Sequence, residues 1–321
     1  MEEKKLYPMR ICSLLDEYGW GSEEFNMADL GYRDSPVRDG WLAGNLISEV
    51  MDTYMDRVVG DNVFESYGRQ FPVCIRTLDC RGKMPLQVNP EDELAADRYD
   101  FLGKEKLWYV VSADRDALVY LGFRKDTDAD ELYRACNDGT VEGLLNAVAP
   151  HAGQIFHISP GTVHALSGKI RVLEIGESSP LDFCLYSWGQ EVPEDEFDPA
   201  LDLVEALDFI DYKAYKASSL TSLPQFSARF FNPSAPVAVS TGENGSFFLY
   251  HCLAGKMEIG FNDPVPGLKT VLEAGQTALV PEEVAEFTVS SPDKACRAVE
   301  VYVERREKAD PYINPDADPE L

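Results

Sequence analysis

From Phe71 onward the chain is written in short β-rich runs, each closed by glycine, proline or acidic residues: FPVCIRTL, MPLQV, LWYVVS, ALVYLGF, QIFHIS and KIRVLEI. Runs this short cannot bury a core singly, so they must pair, and their spacing predicts an antiparallel barrel or sandwich. The pattern returns after Pro224 in FSARFF, FFLYHCLAG, KMEIGF, KTVLEAG, QTALVP, EFTVSS and RAVEVYVE. The fold class is therefore mainly β.

Helical signals are confined to three places. From Asp39 to Val58, residues Trp41, Leu42, Leu46, Ile47, Val50, Met51, Tyr54, Met55 and Val58 recur at helical spacing, as one amphipathic helix or two short ones. DTDADELYRACNDGTVEGLLNAVAPHAG, about 125–149, reads as an insertion of two short helices capped near Thr127 and Thr140 and broken at Gly139. An acidic helix begins near Pro199 and leads into a boundary between Tyr212 and Pro224. Two domains are expected, 1–212 and 213–321, a division that a chain of 321 residues can support with separate cores. One echo links them: Ala152-Gly153-Gln154 runs through a strand to Pro160, and Ala274-Gly275-Gln276 runs through a similar strand to Pro281. The tail ADPYINPDADPEL reads as extended or frayed.

Charge narrows the partners. With 56 Asp plus Glu against 29 Lys plus Arg, the net charge is -27, and the surface field repels nucleic acid and anionic lipid. A phosphorylated sugar is not excluded, because a few cations inside a pocket outweigh a screened remote field. The seven cysteines are scattered without a CxxC pair, which reads as reduced, buried thiols. The first residues, MEEKKLYPMRICSLLDEYGW, lack the apolar stretch of a signal peptide, and no later run approaches a membrane span. A cytoplasmic protein is expected.

The most specific segment is GQIFHISPGTVHALSGKIRVLEI, where a strand ends at a Pro-Gly turn and His164 opens the next. In a small β-barrel such a turn aims the imidazole inward, where a neutral nitrogen can bind a divalent metal. This segment resembles the second cupin motif. LDCRGKMPLQVNPED and GKEKLWYVV in turn resemble stretches of the phosphomannose isomerases. The order FP-x5-LD, QVxP, GK-x3-WY, PGTxHAL and LEI is similar to that family from Phe71 to Ile175, with weaker similarity reaching Trp20-Gly21 and the second half. The resemblance implies two cupin-like (jelly-roll) barrels, a helical insertion, a helical N-terminal segment, and zinc-dependent interconversion of mannose 6-phosphate and fructose 6-phosphate.

The resemblance also implies a ligand set of Gln, His, Glu and His, which this chain keeps only in part. Gln87 and His164 match, whereas Asn89 stands at the first histidine position and Lys106 at the glutamate. An amide oxygen is a weak zinc donor and an ammonium repels the ion, so zinc is expected to bind weakly or not at all. Glu105 would join only through a local bulge, since a one-residue shift on a strand points to the other face, and His157 only if its strand turns inward. Of the family's organic groups, its lysine matches Lys104 and its acid matches Glu174, while Cys184 replaces its arginine. Two readings follow: an aldose-ketose isomerase of a sugar or sugar phosphate using Lys104, Glu174 and Lys106, or a non-catalytic sugar or sugar-phosphate binder, a pseudoenzyme.

Overall fold

The structure, a computed structural model, describes residues 4–190, 199–261 and 268–305. The protein is mainly β. It divides into two compact units, one of Met1–Leu14, Phe25–Cys74 and Thr221–Leu321, the other of Leu15–Glu24 and Ile75–Leu220. This differs from the expected 1–212 and 213–321 in the early residues. Met9 and Arg10 pair with Leu279 and Ala278, which ties the start of the chain to the C-terminal strands.

Two sheets hold the strands of the unit that carries His164. The larger runs in the order Leu14–Tyr18, Gly21–Met27, Val73–Cys80, Ile170–Glu177, Lys106–Ala113 and Ile155–Ile158. The smaller runs Phe183–Tyr186, Leu86–Val88, His164–Ser167, Leu118–Phe123 and Leu145–Val148. Leu78, Trp108, Val110 and Val172 from the first meet Val119, Leu121 and Leu166 from the second in one buried cluster, so the sheets pack face to face. The outer side of the smaller sheet is closed by helices Ala129–Asn137 and Pro199–Ala206, through Leu132, Ala135, Leu203 and Ala206 against Leu86, Val88 and Ala165. Because Leu86 and Val88 face those helices, alternation turns Gln87 inward.

The other unit repeats the plan. Its five-stranded sheet holds Met9–Arg10, Thr277–Val280, Phe248–Ala254, Arg297–Tyr302 and Ser227–Phe231, and its four-stranded sheet holds Val237–Ser240, Glu286–Ser290, Lys256–Phe261 and Leu268–Glu273. Tyr250, Met257, Ile259, Leu272, Phe287 and Val289 form the shared core. The echo seen in the sequence is one turn built twice. Gly153 N–H donates to Val110 O (2.8 Å) and Gly275 N–H to Cys252 O (2.7 Å), both glycines with φ of 85°. Gln154 Oε1 accepts from His151 N and Gln276 Oε1 from Glu273 N, at 3.1 and 3.0 Å.

Three local expectations change. The helix expected from Asp39 begins only at Ile47, because Gly40 and Gly44 sit at φ of 78° and 89°, and Asp34 Oδ1 accepts from Ile47 N and Ser48 N at its start. The second helix of the 125–149 insertion is a single turn, Val141–Gly143, followed by strand Leu145–Val148, since that segment pairs with the edge at Val119–Phe123. Strands also occupy Leu14–Tyr18 and Gly21–Met27, ahead of the helices. The tail from 309 lies outside the described residues.

In the first of the two units, Asp29 is buried and its Oδ2 accepts from Phe71 N–H at 2.8 Å. Burial, reinforced by Asp34 and Asp52, raises its pKa from 3.8 to about 6. The folded chain thus holds this proton more tightly than the unfolded one, and stability falls as pH rises from about 4 through 6. A neutral amide in place of this carboxylate would still accept from Phe71 N–H, without the desolvated charge. Asp29→Asn is therefore expected to stabilise the protein at pH 7 by up to about 3 kcal/mol and to have little effect at pH 4, as read by urea unfolding at both values.

Candidate functional site

An arginine in the middle of an apolar strand organises the site. Arg76, on the central strand Val73–Cys80, is 3% exposed and donates in three directions. Its Nη1 reaches Glu23 Oε2 at 3.0 Å, its Nε reaches Glu174 Oε1 at 2.6 Å, and its Nη2 reaches Asp182 Oδ2 at 3.1 Å. Glu23 and Glu174 lie on the two neighbouring strands, and Lys106 lies on the strand beyond Glu174. Across four adjacent strands the inner face therefore reads minus, plus, minus, plus.

Asp182, in the loop before Phe183–Tyr186, closes this row from the side. It accepts from Lys104 Nζ at 2.7 Å and from Asn89 Nδ2 at 2.7 Å, and lies 3.5 Å from Lys106 Nζ. Lys106, fully buried, also lies 3.5 Å from Glu174 Oε2. Its partner across the strands is Gly176, where a Cβ would come within 3.0 Å of Lys106 Cβ, so glycine leaves room for the lysine stem. Trp108 Nε1–H donates to Glu174 Oε2 at 2.6 Å from the opposite rung.

Electrostatics follow the partners. Glu174 is pulled down to about 2, its burial outweighed by Arg76 and then Lys106. Lys104, Arg76 and Lys106 likewise overcome the burial of Asp182 and hold its carboxyl well below the usual range. Burial moves the other two groups toward neutrality, raising Glu23 and lowering Lys106.

The facing sheet supplies the other wall. His164 and Gln87 are directly paired across Leu86–Val88 and His164–Ser167. The His164 ring meets the Trp108 ring edge-on at 5.3 Å and 81°. Its Nδ1 lies 2.8 Å from Thr162 O, and since a carbonyl only accepts, the proton is on Nδ1 and Nε2 carries a lone pair. Burial, then Lys106, lowers the His164 pKa to about 3, so the ring is neutral near pH 7. His164 Nε2, Gln87 Oε1 and Asn89 Oδ1 are all buried acceptors that meet no donor among the described residues.

The structure thus gathers Gln87, Asn89, Lys104, Lys106, His164 and Glu174 at the inner side of one unit. Glu105 and His157 go elsewhere. His157 is the register partner of Leu107, which alternates with Lys106 and Trp108 and so faces the other way. There His157 Nε2 contacts Glu105 Oε1, and His157 Nδ1 pairs with Ser218 Oγ at 2.9 Å. Cys184 lies across from Gln87 in the sheet. Sequence reasoning missed Arg76, Glu23 and Asp182. The one available signal was a lone Arg inside FPVCIRTL, a charge that a buried strand admits only with counter-charges close by.

The donor set does not fit a catalytic zinc. Gln87 Oε1, Asn89 Oδ1 and His164 Nε2 offer lone pairs, but two of the three are weak amide donors and none is charged, while the carboxylates of Glu174 and Asp182 are taken up by Arg76, Lys104 and Lys106. No group of three or more His, Cys, Asp or Glu side chains placed to hold a metal occurs among the described residues. No helix among them is long and apolar enough to cross a membrane.

No family model matches the chain. Over 155 residues it is 30% identical to a probable mannose-6-phosphate isomerase of Bacillus subtilis, covering 48% of this chain and 47% of that protein. Over 121 residues it is 31% identical to the mannose-6-phosphate isomerase of Streptococcus mutans, covering 38% of each. The chain spans about half the length, or less, of the curated relatives it matches. Among solved structures, mannose 6-phosphate isomerase from Bacillus subtilis superposes with a TM-score of 0.80 at 17% identity, over 93% of this chain and 100% of that one. A putative mannosephosphate isomerase from Archaeoglobus fulgidus gives 0.76 at 20%, over 95% and 99%. Identities this low establish the fold alone.

Removing Arg76 would leave two buried carboxylates, Glu23 and Glu174, and the half-buried Asp182 facing two lysines. Arg76→Met is expected to cost about 3–5 kcal/mol in urea unfolding followed by Trp fluorescence, and Arg76→Lys to recover only part, since one ammonium cannot serve three acceptors. The depressed pKa values of Glu174 and Asp182 mean that their contribution is complete above pH 4.5 and disappears as pH falls toward 2. Acid titration of the Trp signal should show a transition in that window, displaced upward in Arg76→Met.

Proposed function

We propose, from the premise that the chain is a divergent relative of the mannose-6-phosphate isomerases and has their fold, that it is an isomerase-like protein of carbohydrate metabolism. It works in the cytoplasm, holding a sugar or sugar phosphate in the pocket of the unit that carries His164 and interconverting its aldose and ketose forms. One observation carries this reading: Gln87, Asn89, Lys104, Lys106, His164 and Glu174, from well-separated segments, converge on one buried point.

Aldose-ketose isomerisation moves a proton between adjacent carbons and builds negative charge on their oxygens, so it needs a proton carrier and a fixed cation. Lys104 is the fixed cation. Lys106 is the better proton carrier, because burial lowers its pKa and Glu174 holds its position. No step passes through a metal. A second reading, ligand binding without turnover, is favoured by Glu174 and His164, whose pKa values of about 2 and 3 leave both poorly matched to proton transfer near neutral pH.

A coupled assay with mannose, fructose and their 6-phosphates separates the two. Under the isomerase reading, slow turnover is expected and falls by about 100-fold or more in Lys106→Met. Saturable ligand binding without turnover in the unmodified protein would select the second.

A further inference from the structure

The two sheets that face each other at the site present different chemistry, and together they bear on the charge class of a ligand. On the wall formed by the smaller sheet, His164 Nε2, Gln87 Oε1 and Asn89 Oδ1 are buried lone pairs without donors among the described residues. A buried acceptor left without a donor is destabilising, so three at one place form a prebuilt array for hydrogen-bond donors. All three are neutral: two amides and an imidazole whose proton is held on Nδ1 by Thr162 O.

The opposite wall is electrically closed. Arg76, Lys104 and Lys106 stand against Glu23, Glu174 and Asp182, three positive groups to three negative. Burial pushes Glu23 and Lys106 both toward their neutral forms, and if both are neutral the count is two to two. A divalent cation here would have to displace the Lys106 side chain from between Glu174 and Asp182. A phosphate dianion would meet Glu174 and Asp182 with the cations already engaged. Burying either charge without new compensation is costly.

We propose that this site takes the neutral hydroxyl face of a free aldose or ketose, with neighbouring O–H groups donating to His164 Nε2, Gln87 Oε1 and Asn89 Oδ1, and takes neither a divalent metal nor the phosphate of a sugar phosphate. The inference rests on the carbohydrate reading above and narrows it to uncharged sugars.

The test uses the full-length protein as purified. Its zinc content is measured by mass spectrometry, and calorimetric titrations are run with zinc chloride, mannose, fructose and mannose 6-phosphate. The expected results are zinc well below one per chain, no heat with zinc chloride, saturable binding of mannose or fructose, and mannose 6-phosphate binding no tighter than mannose. Gln87→Leu removes one acceptor without touching the ion row and should weaken the free sugar about tenfold. Stoichiometric zinc, a 6-phosphate bound about tenfold tighter than the free sugar, or unchanged affinity in folded Gln87→Leu would overturn the uncharged-ligand proposal. Those outcomes leave the carbohydrate reading standing, whereas no binding of any of the three sugars overturns both. If Gln87→Leu does not fold, the comparison of mannose with mannose 6-phosphate decides on its own.

Discussion

The ion row Glu23, Arg76, Glu174, Lys106 is what the site-bearing unit depends on. Each charge sits on a different strand of one sheet, and each is buried. Isolated, any of them would cost several kcal/mol in that setting, so none is tolerable without its neighbours. The row therefore holds only if the strand order and the inward alternation are both correct. Asp182 completes it by bringing a third carboxylate to Arg76, Lys104 and Lys106 at once.

Charge balance characterises the site. Arg76, Lys104 and Lys106 stand against Glu23, Glu174 and Asp182, and the amides of Gln87 and Asn89 add no charge. The site thus sets a closed group of ions beside three neutral acceptors, Gln87 Oε1, Asn89 Oδ1 and His164 Nε2.

The two units share a construction principle seen most sharply in the glycine turns at 153 and 275. Each closes onto a strand with the same pair of backbone contacts and the same glutamine side-chain bond. A positive φ is needed at the glycine, and the glutamine needs an N–H three residues upstream, so Gly and Gln recur together.

Much of the fold was legible because local spacing carried it: the β-rich runs became strands, and the Pro199 signal became a helix. The segment LLNAV misled, since helical propensity gave way to pairing with the edge at Val119–Phe123. Of the site, Gln87, Asn89, Lys104, Lys106, His164 and Glu174 could be named from motifs, because each sits in a short recognisable run. By itself the sequence determined a mainly β chain and the inward-facing residues of its motif strands. Only the tertiary structure decided that Arg76, Glu23 and Asp182 join them, and that Glu105 and His157 face away. Strand neighbours 53 and 98 residues apart have no local signature, and a buried charge reveals its partners only once the sheet is assembled.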